Sequence, residues 1–179
     1  MKILTPYGLK PVKTEVVDLR TCYSQCRPNQ PIDELLLVNG KVDRNMMNSP
    51  HFEFANFYYS NEKHLRNIFS HTRYAKMLRL FGREPIFPEK FAQLCDSIKA
   101  GYLRRKHEEN YIVILMESFA RSRYNRDDVL NLVPEVWSGH HRIGSLLALG
   151  RYSAKVCIAE DIAKGTKMSY GKIHFLCIK

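Results

Sequence analysis

The segment 139–142 reads Gly-His-His-Arg and combines residue types that can handle a phosphate group. It follows an apolar run and precedes an amphipathic one, which places it where a strand ends and a helix begins. The first N–H groups of a helix and its dipole attract anions, and Gly139 would let a phosphate approach the backbone closely. Arg142 is suited to a charged contact with that phosphate. His140 or His141 is suited to proton transfer near neutral pH.

The residues around this motif supply further candidates. Ser138 is expected to cap the helix or to contact the phosphate, and capping is the commoner role of serine at such a position. Activating a hydroxyl or holding Mg²⁺ would require a carboxylate, and Asp33 and Glu34 are favoured because they follow a Pro-rich loop. Glu15 and Asp18 are further candidates, because spacing does not single out one of the four carboxylates. The alternative is that these acids are solvated in loops and that the histidines are solvated on a capped helix.

The elements that must position these residues follow from hydrophobic pattern and turn signals. Asn39-Gly40 is a strong turn dipeptide and predicts a hairpin or a strand end. Strands are predicted at residues 14–19, 35–38, 111–116, 132–137, 155–162 and 172–178. Helices are predicted to begin at Pro50, Asn61, Thr72, Pro88 and after Gly139. The pattern predicts a mixed α/β or α+β fold.

The composition predicts an intracellular, cytoplasmic globular protein that either binds an anionic partner or uses its basic residues only for solubility. The formal net charge is +10 and the sequence pI is about 9.4, an excess that favours nucleotides, nucleic acid or other phosphorylated ligands. The first 13 residues lack the apolar run of a signal peptide, and no stretch approaches the length of a spanning helix. Cys22 and Cys26 are not followed by a second pair at zinc spacing, so no metal site is expected from the five cysteines.

The order of these motifs resembles the core of the ParB/sulfiredoxin superfamily over about two thirds of the chain. The matching pieces are a helix ending in Ser-Ile-Lys (91–99), an apolar strand (112–115), the Gly-His-His-Arg motif, Ala-Leu-Gly (148–150) and a strand (156–162). Residues 16–19 and 28–31 resemble the opening strand and the Pro-rich loop of the family. The resemblance implies a single domain over 1–179, with a small sheet flanked by helices and a helical insertion at 44–88.

What the superfamily shares is phosphate handling at this motif, so the resemblance implies binding of ATP, ADP or CTP together with Mg²⁺. Kinase-like members often carry Asp before Gly-His-His-Arg, where this chain has Ser138. Sulfiredoxins carry a Cys after the glycine, where this chain has His140, so sulfinic acid reduction is not expected. Partition proteins usually continue into a DNA-binding domain, and this chain ends soon after the motif helix, so a plain partition role is not expected either.

Three functions remain open on the sequence. The first is a nucleotide-dependent phosphotransferase or nucleotide hydrolase, in which charge stabilisation and positioning do most of the work. The second is a DNA- or RNA-binding or nucleolytic protein, in which the basic and aromatic segment 44–88 follows a nucleic acid backbone. The third is a non-catalytic adaptor switched by nucleotide. Aromatic residues at helical spacing are more often core than base-stacking groups, which bears on the second.

Overall fold

Seven strands are present in the part of the chain that the structure describes, and five of them form one mixed sheet. The computed structural model describes residues 8–24, 31–101, 112–117 and 133–162. The strands are β1 (Leu9–Asp18), β2 (Tyr23–Ser24), β3 (Leu37–Val38), β4 (Lys41–Val42), β5 (Val113–Leu115), β6 (Glu135–Ser138) and β7 (Ser153–Asp161). The sheet order is β1-β7-β5-β6-β2, and β3 and β4 form a separate hairpin. The β1–β7 and β5–β6 pairs are antiparallel, whereas β5–β7 and β2–β6 are parallel.

Helices cover one face of this sheet and also pack on one another. They are α1 (Pro50–Ile68), α2 (Arg73–Leu80), α3 (Glu89–Lys99) and α4 (His140–Ala148). α4 lies against α1 and α3, and α1 also contacts α2. The fold is therefore α+β, as the sequence predicts.

Local signals start the helices at the predicted residues. Ser49 and Thr72 each accept a hydrogen bond from the backbone N–H three residues later, at 3.1 and 3.2 Å. These caps satisfy donors that have no acceptor within the helix. α1 is interrupted at Asn61, whose backbone is extended (φ −164°, ψ 88°) and whose side chain accepts from the N–H of His64 at 3.0 Å. The predicted helix start at Asn61 is thus confirmed as a break within α1.

The Asn39-Gly40 dipeptide forms the turn of the β3–β4 hairpin. Both residues have positive φ, at 50° and 76°. Two consecutive left-handed residues match the right-handed twist of the flanking strands, and Asn and Gly adopt that conformation most readily. The predicted hairpin is confirmed.

Alternate residues of the central strands face two different hydrophobic clusters. Ile114, Val156 and Ile158 pack with Ile143 and Leu146 of α4 on the helical side of the sheet. The opposite face holds a second cluster: Leu9, Val113, Leu115, Cys157 and Ala159. This alternation is the period-two pattern of a sheet buried on both faces.

A third cluster lies among the helices and is rich in aromatic side chains. Its buried members include Phe54, Tyr58, Leu65, Phe69, Tyr74, Phe91 and Cys95. Because Phe91 and Cys95 belong to α3, the segment 44–88 shares a core with the helix that follows it. Most aromatic residues of this segment are therefore core residues.

Several strand boundaries differ from the predicted ones. β1 begins at Leu9 rather than at residue 14, because its backbone pairs with β7 through Leu9–Asp161 regardless of side-chain pattern. β6 begins at Glu135, after Pro134, which has no N–H to donate to a ladder. The predicted strand at 172–178, the Pro-rich loop before Pro31, and Cys26 lie outside the described residues.

Candidate functional site

Gly139 links β6 to α4 in a conformation that requires glycine. Its φ is +97°, and a Cβ at this position would lie 3.0 Å from Ile112 Cγ1 and 3.2 Å from Ile112 Cα. Gly139 is the N-cap of α4, and no side chain caps this helix. The first-turn N–H groups have no acceptor within the helix and carry the positive end of its dipole. The predicted strand–glycine–helix arrangement is confirmed.

Ser138 does not cap the helix. It is the last residue of β6 and pairs with Val113 of β5. The expectation that Ser138 caps α4 is wrong, because Gly139 occupies the cap position. A contact between Ser138 and a phosphate stays a prediction.

Three histidine rings from two helices meet at this helix N-terminus. His51, in the first turn of α1, has its ring centroid 4.7 Å from that of His141 and 5.4 Å from that of His140. The approach of the two helices depends on Gly144, where a Cβ would lie 2.8 Å from the carbonyl carbon of His51 and 3.0 Å from the nitrogen of Phe52. A glycine in α4 thus lets the first turn of α1 deliver a third imidazole.

His141 is enclosed by aromatic rings and anchored by a hydrogen bond. The Tyr74 hydroxyl of α2 lies 2.7 Å from His141 Nε2. Phe91 of α3 packs edge to face on the same ring, with centroids 4.6 Å apart. Burial, followed by repulsion from Arg83 and Arg142, lowers the pKa of His141 to about 4. His141 is therefore neutral at physiological pH.

Charged groups and burial shift the protonation of several side chains in this region. Burial lowers the pKa of Arg142, so its surroundings disfavour the charge that the guanidinium nonetheless carries. The positive charge of Arg83, just after α2, also lowers the pKa of His141. Burial, and then the two neighbouring histidines of α4, lower the pKa of His51 as well. An anion bound at the start of α4 would favour the charged forms of these groups and so oppose the shifts.

The predicted carboxylates are not brought into this cluster by any described contact. Glu34 is exposed on a 3-10 turn, Pro31–Leu36, that packs against α2 and β4. The side chain of Asp33 lies outside what the structure describes. Among the described residues, no group of three or more His, Cys, Asp or Glu is placed to hold a metal ion. Mg²⁺ on a nucleotide is usually held by one or two carboxylates together with the phosphates, so Glu34 stays a predicted ligand.

Two arginines of the segment 44–88 are engaged in ion pairs within the fold. Arg66 forms ion pairs with Glu62 and Glu89, each at 2.7 Å. Arg73 pairs with Glu53 and also donates to backbone oxygens. Binding of nucleic acid by this segment stays a prediction, with fewer available cations than the sequence suggests.

Sequence reasoning did not identify His51, Tyr74 or Arg83 as parts of the site. All three belong to the segment 44–88, where the sequence shows only a basic and aromatic composition. The one local signal is the helix start at Ser49-Pro50, which places His51 in a first turn. Nothing local indicates that this turn crosses α4.

Comparisons of the chain with models of protein families, with curated proteins and with solved structures find no match. Within the described residues, no helix is both long and apolar enough to cross a membrane.

Proposed function

We propose that the chain binds a nucleotide through its phosphates at the first turn of α4 and transfers or hydrolyses a phosphoryl group there. The observation that carries the proposal is the helix start opened by left-handed Gly139, where Arg142 lies in the first turn and the rings of His51, His140 and His141 meet. Cations, a helix dipole and a close backbone approach together favour a phosphate.

Each residue of the motif has a role in this proposal. The N–H groups that follow Gly139 bind the phosphate oxygens, and Arg142 neutralises their charge. His140 transfers the proton of the attacking hydroxyl or water. Glu34 or Asp33 is the proposed carboxylate partner of that step. ATP, ADP or CTP with Mg²⁺ is the proposed ligand, and Mg²⁺ would supply further charge neutralisation of the phosphates when bound.

The order of elements supports this proposal. α3, β5, β6, Gly139, α4 and β7 follow one another as the resemblance to the ParB/sulfiredoxin superfamily predicts. Membership of that superfamily is part of the proposal. The activity is argued from the site, because a fold alone does not decide an activity.

The proposal is tested by calorimetric titration with ATP, ADP and CTP in the presence of Mg²⁺. We expect saturable binding by the native chain and a loss of about tenfold or more in affinity in Arg142→Ala, because a hydrogen-bonded charge contact is removed. Arg66→Ala is the matched control, since Arg66 is an exposed arginine held by Glu62 and Glu89. Its affinity should equal that of the native chain.

A phosphate-release assay on the same samples separates catalysis from binding. Turnover that disappears in Arg142→Ala supports a hydrolase or phosphotransferase. Binding without turnover, with or without an added acceptor, would reduce the protein to a nucleotide-switched adaptor. Absence of nucleotide binding, together with DNA or RNA binding that falls steeply with salt, would replace the proposal by a nucleic acid function.

A further inference from the structure

The two adjacent histidines of α4 differ in what they contact, although the sequence makes them equivalent. We infer that Tyr74 is a positioning residue that fixes neutral His141 as its Nδ1–H tautomer. His141 then serves the ligand only as a hydrogen-bond donor and leaves proton transfer to His140. The role toward the ligand rests on the proposed function, whereas the tautomer does not.

The direction of the hydrogen bond between Tyr74 and His141 follows from the chemistry of its two atoms. The Tyr74 hydroxyl oxygen and His141 Nε2 are 2.7 Å apart, a short distance for this pair. An unprotonated imidazole nitrogen is far more basic than a phenol oxygen, and a phenol is the more acidic of the two donors. The phenol therefore donates, and the Nε2 lone pair accepts.

The remaining proton of the ring must then be on Nδ1. His141 is packed between His51 and Phe91, at centroid distances of 4.7 and 4.6 Å, and the positive charges of Arg83 and Arg142 oppose its protonation. These surroundings keep the ring neutral, so it carries one proton rather than two. With its only lone pair engaged, His141 has no position at which to accept a proton from a substrate.

The position of Nδ1 makes this proton useful at the same turn. Nδ1 is bonded to Cγ and is the ring nitrogen nearer to the backbone of its own residue. His141 is the second residue of α4, within the turn whose N–H groups have no acceptor in the helix. The Nδ1–H of His141 thus adds a neutral donor to the donors that receive the phosphate, and His140 is left as the residue for proton transfer.

The tautomer is measured directly by long-range ¹H–¹⁵N correlation of the histidine rings in labelled protein near pH 7. We expect His141 to show a protonated Nδ1 and an unprotonated Nε2. In Tyr74→Phe, which keeps the buried ring and removes the hydroxyl, the Nε2–H tautomer should become populated. Tyr58→Phe is the matched control, because it removes a hydroxyl that donates to Asp96 in the same aromatic cluster. It should leave the His141 signals unchanged.

The role toward the ligand is measured with inorganic sulfate, which stays dianionic throughout the neutral range and so contributes no titration of its own. Sulfate affinity should fall about five- to tenfold in Tyr74→Phe, because one donor of the site is no longer held in place, and should not change in Tyr58→Phe. Equal affinity in native protein and Tyr74→Phe would overturn this role.

The two measurements fail separately. A native His141 with a protonated Nε2 overturns the inference whatever the protein binds, and this result needs no variant to fold. A native protein with the expected tautomer that binds neither sulfate nor nucleotide overturns the proposed function and the ligand role, while the effect of Tyr74 on the tautomer stands.

Discussion

Two arginines near the helices show opposite relations between charge and surroundings. Arg66, on the outer surface of α1, is held by Glu89 and Glu62, and hydrogen bonds to these carboxylates raise its pKa. Arg142, at the inner end of α4, is half-buried, and burial lowers its pKa. Ion pairs stabilise the charge of the Arg66 guanidinium, whereas burial disfavours the charge of Arg142.

This difference distinguishes a charge engaged in surface ion pairs from a charge that is a candidate for ligand binding. Groups with strongly perturbed pKa values at one place are candidates for binding or catalysis, because a fold retains unfavourable interactions where activity requires them. Around Arg142 the pKa of His51 and that of His141 are also lowered. The first turn of α4 is therefore where we propose that the ligand binds, rather than the surface around Arg66.

The largest expected effect comes from separating α1 and α4, the helices that bring His51 to His141. Gly144→Ala would place a Cβ 2.8 Å from backbone of His51, which cannot move aside as a side chain can. We expect the free energy of unfolding to fall by about 2–3 kcal/mol, as for other overpacked sites. Urea unfolding measures it. A gain of about 1 kcal/mol, the usual effect of Ala replacing Gly within a helix, would show that the close contact does not exist.

A smaller effect is expected from pH, through His51 and His141, whose pKa values are lowered. The pKa of His141 is about 4 in the folded chain against an ordinary 6.5, and that of His51 is also lowered. The unfolded chain then binds more protons between these values, so the free energy of unfolding rises with pH across that window. We expect stability to fall by about 1–3 kcal/mol as pH drops from 6.5 to 4.

Four groups that face these two rings must be kept intact in the test, because they act on the rings themselves. They are Tyr74, Arg83, His140 and Arg142. In His51→Gln/His141→Gln, the dependence of unfolding on pH should become shallower, as measured by urea unfolding at several pH values. His64→Gln, on the exposed part of α1, is the control. An equal dependence of unfolding on pH in all three proteins would contradict the neutrality of His51 and His141.

The smallest expected effect concerns the two arginines themselves. Arg142→Met should leave the urea midpoint nearly unchanged, because burial disfavours the charge of the guanidinium and this offsets the interactions that the guanidinium makes. Arg66→Met should lower the urea midpoint slightly, because an exposed ion-pair network is lost. An equal fall in both variants would remove the distinction between the two arginines.

The sequence by itself determined several local features, including the glycine of the motif. The helix starts at Ser49 and Thr72, the Asn39-Gly40 turn and the glycine between β6 and α4 are all confirmed. Each depends on a hydrogen bond or a backbone conformation within a few residues, so residue type and spacing are sufficient to predict it. The capping role given to Ser138 failed, because the left-handed glycine after it shifts the helix start by one residue.

Only the tertiary structure decided which residues complete the candidate site. His51, Tyr74 and His141 belong to three helices, and their contact depends on how closely α1 crosses α4 at Gly144. That crossing is set by side-chain packing between segments far apart in sequence, which no local pattern encodes. The same packing makes two neighbouring histidines unequal, since Tyr74 and Phe91 of the aromatic cluster contact His141. The sequence therefore predicts the strand–glycine–helix motif, and the packing of the helices decides which side chains surround it.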